Sequence, residues 1–438
     1  MDEIVYTPQK AAYLRWMEQE GIPIFDGLAV EDVTELPRKP WARMGGTGSY
    51  IQLKGSGGVT GMYVVEIPPG GALEPERHMY DELLYVLKGR GSTEVWYDGM
   101  RKQAFEWSEG SLFAPPLNTW HRLYNGARES AFLLAVTTAP IIMDFFRDPD
   151  FVFNNSHAFK SRYNGEDSYF AMSDRRYKAT RTSMWDTNFI ADARVATVEN
   201  APYKVAEGGI TCFEMADNSL IGHISEWPSG IYHKAHYHAA GAILLVVRSY
   251  GYIYMWPKEL GVRPFQNGKG DQVVKCNWKP GSIYSPPDGW FHTHLNSGPE
   301  PARHIALRLG SRKNPTTIHD ASTRNNREGP TTSLREGGTL IEYEDEDPEI
   351  RRVFLEECKK NRVESRLPPI TYRNDPLIVY LLSELGEAHR TPPRVHRSFP
   401  AGLIPGSLLR IAVSSPLKVR HSRMLLSGIQ ARSELDPR

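Results

Sequence analysis

The stretch Gly70-Gly-Ala-Leu-Glu-Pro-Glu76-Arg-His78-Met-Tyr-Asp-Glu82 returns later in the chain as Gly230-Ile-Tyr-His-Lys-Ala-His236-Tyr-His238. Each is followed by a second shared frame, Gly110, Pro116, His121, Asn125 in the first half and Gly281, Pro287, His292, Asn296 in the second. The copies are offset by 160 residues in the first frame (76 to 236) and by 171 in the second (121 to 292). Order and internal spacing are kept, so one unit was duplicated, with a longer central loop in the second copy. Around these frames the sequence consists of short β-rich runs punctuated by Gly, Pro, Asn and Asp, such as Gly61-Met-Tyr-Val-Val-Glu-Ile-Pro-Pro-Gly70 and Leu83-Leu-Tyr-Val-Leu-Lys-Gly89. Many short strands without alternating helices predict an all-β fold of two tandem barrels.

Working outward, residues 1–49 read as an N-terminal extension with a short helix from Thr7-Pro8 to Gly21, and 50–139 as the first barrel. Residues 140–219 form an interdomain segment without strong periodicity, and 220–310 the second barrel. Residues 311–366 hold an extended polar arm and a helix starting at Asp347-Pro348, with Ile350, Val353, Phe354 and Cys358 on one face. Residues 367–438 form a C-terminal tail, basic toward its end and expected to be largely disordered. Across 438 residues, 52 Lys and Arg balance 52 Asp and Glu, so bulk charge directs the chain to neither nucleic acid nor membrane. Cys212, Cys276 and Cys358 are scattered and form no CxxC pair, which fits a reducing cytoplasm. We see no leader and no apolar run of membrane-spanning length.

Side chains two apart on a strand share a face, so His236 and His238 project together, and His292 enters from a later strand opened by Pro286-Pro287-Asp288-Gly289. Three neutral imidazoles suit a divalent metal, Fe(II), Mn(II), Zn(II), Ni(II) or Cu(II), and leave positions open for other ligands. The competing reading is a pair of ordinary strand histidines on a solvated face; against it, the whole frame is repeated. His294 shares the parity of His292 and is a candidate neighbour of the site, whereas His233 has the opposite parity and is expected to face outward. The first copy offers Glu76, His78, Glu82 and His121, a mixed nitrogen and oxygen set. Alternatively, Glu76 is solvated at the barrel mouth and Glu82 pairs with Arg77 or Arg90. Tyr85, Trp96 and Trp120 flank the first cluster, and Tyr252, Tyr254, Trp256 and Trp290 the second, either as pocket walls or as core. Arg303 and Arg308 read as surface residues of an outer strand or as receptors for a substrate carboxylate.

These frames resemble the two cupin motifs. The first copy matches at Gly70, His78, Glu82, Gly89, Gly110, Pro116, His121 and Asn125, with Glu76 in place of the first His and Asn118 in place of a Gly. The second matches at Gly230, His236, His238, Gly281, Pro287, Gly289, His292 and Asn296, and has Ala242 or Ile243 where the motif has Glu. The resemblance covers about 90 residues in each half. It implies two double-stranded β-helix (jelly-roll) barrels with short helical extensions, each a candidate metal holder. The three-histidine set makes the chain similar to bicupins of the gentisate dioxygenase kind, which implies Fe(II), dioxygen and a small oxygen-rich substrate such as a hydroxylated aromatic acid. Trp290, Tyr252 and His294 are the candidate substrate contacts. Two other expectations stand beside it: a Mn(II) or Zn(II) lyase, decarboxylase or isomerase, and a non-catalytic small-molecule-binding bicupin. Cupin barrels pair through their outer strands, so the resemblance also implies a homo-oligomer.

Overall fold

Each copy closes as a large sheet facing a smaller one in a computed structural model, described here over residues 8–179, 182–200, 208–315 and 329–373. In the first, Gly61–Ile67, Ala131–Thr137 and Glu82–Lys88 lie side by side in the large sheet. Trp120–Asn125, Arg90–Trp96 and Gln103–Ser108 form the small one. In the second, Leu220–Trp227, Ala302–Leu309 and Ile243–Arg248 take the corresponding central places. Trp290–Asn296 pairs there with Gly251–Pro257, which in turn pairs with Val274–Trp278. The fold is mostly β, with two jelly-roll barrels. Among the described residues, no helix is long and apolar enough to cross a membrane.

Several repeated residues prove to be architectural. Asn125 donates to the carbonyls of Ile67, Pro68 and Glu129 and accepts from Ala127 N–H; Asn296 donates to Pro228 and Glu300 and accepts from Gly298 N–H. Both side chains pin a turn by satisfying buried backbone groups. Gly110 and Gly281 sit at φ of 90° and 89°, a left-handed conformation that a side chain would strain. A matched pair absent from the motif reading also emerges. A Cβ on Gly91 would lie 1.9 Å from the Tyr124 carbonyl and meet the Trp107 ring, and one on Gly251 would lie 2.0 Å from the Leu295 carbonyl and meet Trp278.

Strand alternation gives each large sheet two apolar faces. Leu84, Val86, Leu133 and Ala135 fill the first barrel, while Leu83, Leu134 and Val136 point out of it, onto Ile224, Ile243, Leu245 and Ile305 of the second. The two barrels therefore pack back to back through a continuous core. They also exchange strands: Ala29–Val30 pairs with Ile283–Tyr284 of the second barrel, and Phe189–Ile190 with Leu112–Phe113 of the first.

The N-terminal helix covers Ala12–Gln19, with Ala11 at its N-cap, so it starts later than the Thr7-Pro8 signal suggested; Gly21 ends it at φ 71°. Thr7 lies outside the described residues, as do 316–328 of the polar run and the tail beyond residue 373. The helix Pro348–Lys360 is capped by the Asp347 carboxylate, which accepts from Glu349 N–H and also from Phe265 and Gln266 N–H. Ile350, Phe354 and Cys358 bury against Tyr232, Tyr252 and Tyr254 on the outer face of the second barrel. Before it, the arm lies along the segment that bears His236. Ile341 N–H donates to the Ala235 carbonyl, Tyr237 N–H donates to Thr339, and Leu340 bridges His236.

Candidate metal centres

In the second barrel, His236 and His292 exchange backbone hydrogen bonds of 3.1 and 2.9 Å, which sets their imidazoles side by side with ring centroids 4.5 Å apart. His238 follows two residues on, 4.7 Å from His292. One ligand nitrogen from each of the three lies within 4.8 Å of the others. Each Nδ1 is tied to a backbone carbonyl: His236 to Lys234 at 2.9 Å, His238 to Ala239 at 2.8 Å, His292 to Trp290 at 3.1 Å. A carbonyl only accepts, so each Nδ1 is the donor, and in the neutral ring the acceptor lone pair is on Nε2. Second-sphere anchoring of this kind orients imidazoles for a metal.

The first barrel repeats the arrangement with different donors. Glu76 and His121 exchange backbone bonds as His236 and His292 do. His78 Nδ1 donates to the Tyr80 carbonyl at 2.8 Å and His121 Nδ1 to Thr119 at 3.2 Å. Glu76, His78 and His121 form a second group with one ligand atom each inside 4.8 Å. Glu82 reaches the same point: its Oε2 lies 3.5 Å from His78 Nε2 and 3.7 Å from His121 Nε2, while Oε1 accepts from Tyr63 OH at 2.7 Å. His78 Nε2, His121 Nε2 and Glu82 Oε2 are buried without a hydrogen-bond partner. Three converging orphan atoms of these types fit a divalent cation, which would satisfy all of them at once.

The two centres differ in charge. Burial would raise the Glu76 pKa, but Arg43, His121 and His78 outweigh it and bring it down to about 2. Burial would lower that of His121, yet the Glu76 and Glu82 carboxylates pull it up. The three donors of the second barrel carry no carboxylate.

Beyond the triad, the Tyr284 hydroxyl bridges His294 Nδ1 at 2.9 Å and His304 Nδ1 at 2.7 Å, with Trp227 and Trp278 packed edge-on against His304. Burial drives the His304 pKa from 6.5 to about 3, so the folded protein binds fewer protons there than the unfolded chain. Its contribution to stability is complete above pH 6.5 and is lost as the pH falls toward 3. The thermal midpoint is therefore expected to drop across that window, and less steeply in His304→Gln; equal slopes in a pH series of melts would contradict this.

The sequence-predicted residues are not all gathered here. Trp290 and His294 share the inward face with His292, and the His294 ring lies 5.4 Å from that of His292. Tyr252 does not reach the centre. It pairs with Leu295 on the opposite face and, with Tyr254 and Trp256, packs under the helix Pro348–Lys360. In the first barrel Tyr85 points into the core between barrels, and Trp96 and Trp120 stack outside, under Lys102 and Arg77. His233, expected outside, is buried against Trp227, because strand alternation ends at Tyr232 and does not carry through to His236. Arg303 is buried, not superficial: it binds Glu226 and the carbonyls of Ala193 and Ala196. Arg77 pairs with Asp98, and Glu82 with Tyr63. Arg43, Tyr63, Tyr284 and His304 were missed. His304 had a signal, since it follows Arg303 on a β-patterned run, but the others lie outside both motifs or at positions filled by ordinary strand residues.

Residues 63–137 match the family model described as Cupin domain. Among curated proteins, none matches the sequence. Solved structures similar to the chain include a variant of oxalate decarboxylase from Bacillus subtilis, at 12% identity over 64% of this chain and 77% of that one, TM-score 0.40. Another is the formate complex of the Lactobacillus farciminis oxalate decarboxylase, at 13% identity over 66% and 86%, TM-score 0.42.

Proposed function

Because the chain is a bicupin of the cupin superfamily, we propose that it is a metal-dependent oxidoreductase whose second barrel holds Fe(II) through His236, His238 and His292. The carrying observation is the common anchoring of those three imidazoles, each with Nδ1 on a carbonyl and a ligand nitrogen within 4.8 Å of the others. Bound there, the metal supplies Lewis acidity and one-electron chemistry toward dioxygen. The protein's part is orientation and electrostatics. Three neutral donors leave the dication's charge uncompensated, which favours a small anionic, oxygen-rich substrate such as a hydroxylated aromatic acid. Trp290 provides an aromatic wall on the same face, and His294, held by Tyr284, offers a hydrogen-bonding group beside the triad. In the first barrel, His78, His121, Glu76 and Glu82 hold a second divalent cation.

A specific observation favours a second reading. The carboxylate-bearing donor set of the first barrel suits Mn(II), and with it a lyase or decarboxylase that consumes no oxygen. The deciding experiment is elemental analysis of anaerobically purified protein, followed by an oxygen-electrode screen of hydroxylated aromatic acids. Iron with substrate-dependent oxygen uptake supports the dioxygenase. Manganese, with turnover of a carboxylic acid and no oxygen uptake, replaces it with the lyase.

A further inference from the structure

Glu76 stands where the second copy has His236, and the substitution has a physical consequence. A carboxylate in place of a neutral imidazole adds one negative charge to a buried centre and offers two donor oxygens instead of one nitrogen. The N-terminal extension meets both changes. Glu76 Oε1 faces the cluster, 3.6 Å from His121 Nε2, while Oε2 is taken by Arg43 Nη1. Arg43 is itself immobilised. Its Nε donates to Glu20 at 2.9 Å, and its guanidinium lies 5.4, 5.0 and 4.9 Å from the rings of Trp16, Trp41 and Phe153. Trp41 Nε1 donates to the same Glu20 oxygen.

Resting on the first-barrel centre proposed above, we propose that Arg43 is a positioning residue that makes Glu76 a charge-compensated, single-atom donor, the electrostatic equivalent of the histidine it replaces. The Glu76–Arg43 pair carries no net charge, and its second oxygen is blocked from the metal side. Among its donors the first centre then keeps only the charge of Glu82, with the Glu20 carboxylate bound behind them to Arg43 Nε, and a metal there remains an acceptor for an anion. The N-terminal helix thus takes part in tuning a site it does not touch, through Glu20 and the aromatic cage around Arg43.

The test uses the full chain with the second centre blanked (His236→Ala/His292→Ala), loaded with Co(II) and titrated with azide by visible spectroscopy, with thermal unfolding alongside. Arg43→Gln exposes the carboxylate charge and is expected to weaken azide binding on the order of tenfold. Arg43→Lys, which keeps the charge, stays near the parent. Glu76→His alone adds a positive charge and tightens azide by a similar factor, so the inference is tested even if Arg43→Gln fails to fold. Arg43→Gln/Glu76→His returns to the parent value. Arg43→Gln/Glu76→Leu restores the melting temperature without restoring the cobalt spectrum. Unchanged azide affinity in both Arg43→Gln and Glu76→His overturns the inference, as does full spectral rescue by the leucine double variant, which would make the pair merely structural. A parent that takes up no cobalt overturns the first-barrel centre, and the inference with it.

Discussion

In the His292→Ala protein, about one equivalent of divalent metal per chain is expected to be lost, and with it all oxygen uptake. The ring lies between His236 and His238, at centroid distances of 4.5 and 4.7 Å, so its removal leaves a two-nitrogen site with no carboxylate to replace it. Secondary effects are small by comparison. Alanine can keep the backbone exchange with His236, so the strand pairing that holds His236 in place survives. The wild type should also gain thermal stability on adding metal, because a ligand that binds only the folded state stabilises it in proportion to the logarithm of its concentration over Kd. That gain should shrink in the variant to what the first barrel supplies. Elemental analysis and a melt with and without metal decide the matter; full metal content in His292→Ala would place the ion elsewhere.

Phe354→Ala is expected to cost about 3–5 kcal/mol, read from a urea denaturation midpoint. Phe354 is fully buried at the centre of the face that the helix Pro348–Lys360 lays on the second barrel, edge-on to Tyr232 at 4.9 Å. Tyr232 is tied from two directions, since its hydroxyl donates to Glu346 and its carbonyl accepts from Tyr343 OH. A cavity at Phe354 therefore loosens the helix together with the segment before it, whose Leu340 bridges His236. Metal release from the second centre should accelerate in this variant, although no ligand is altered. A normal release rate together with the full stability loss would show that the arm does not brace the centre.

Fold and ligand clusters were legible in the sequence for one reason: both depend on local periodicity repeated twice. Spacing of two along an extended chain brought His236 and His238 to one point, and the duplicated Gly, Pro and Asn frame marked turns that the same backbone hydrogen bonds close in each copy. Whatever depended on which side of a sheet faces a partner was not legible. Tyr85 and Tyr252 look like pocket aromatics because they adjoin the motifs, yet each lies on the reverse face, claimed by the other barrel or by the helix Pro348–Lys360. Alternation says that two faces exist, and only tertiary packing says which is lined with ligands. Arg43 was invisible for another reason. It comes 33 residues before Glu76, outside both repeated motif frames, so their repetition could not mark it.

The reciprocal loan of short strands, Ala29–Val30 to one barrel and Phe189–Ile190 to the other, bears on how such a chain can change over time. A freshly duplicated barrel can still be separated into two independent genes. Here, a cut just before Arg176–Ala179, where the second barrel's sheet begins, would leave the downstream piece without Ala29–Val30 and would expose the Ile283–Tyr284 backbone groups to any passing strand. The upstream piece would lose Phe189–Ile190 from its Leu112–Phe113 edge, together with the apolar surface on which Leu83, Leu134 and Val136 rest. Each half has become a folding requirement of the other, so a difference between the barrels, such as Glu76 in one against His236 in the other, is held inside a molecule that can no longer discard either half.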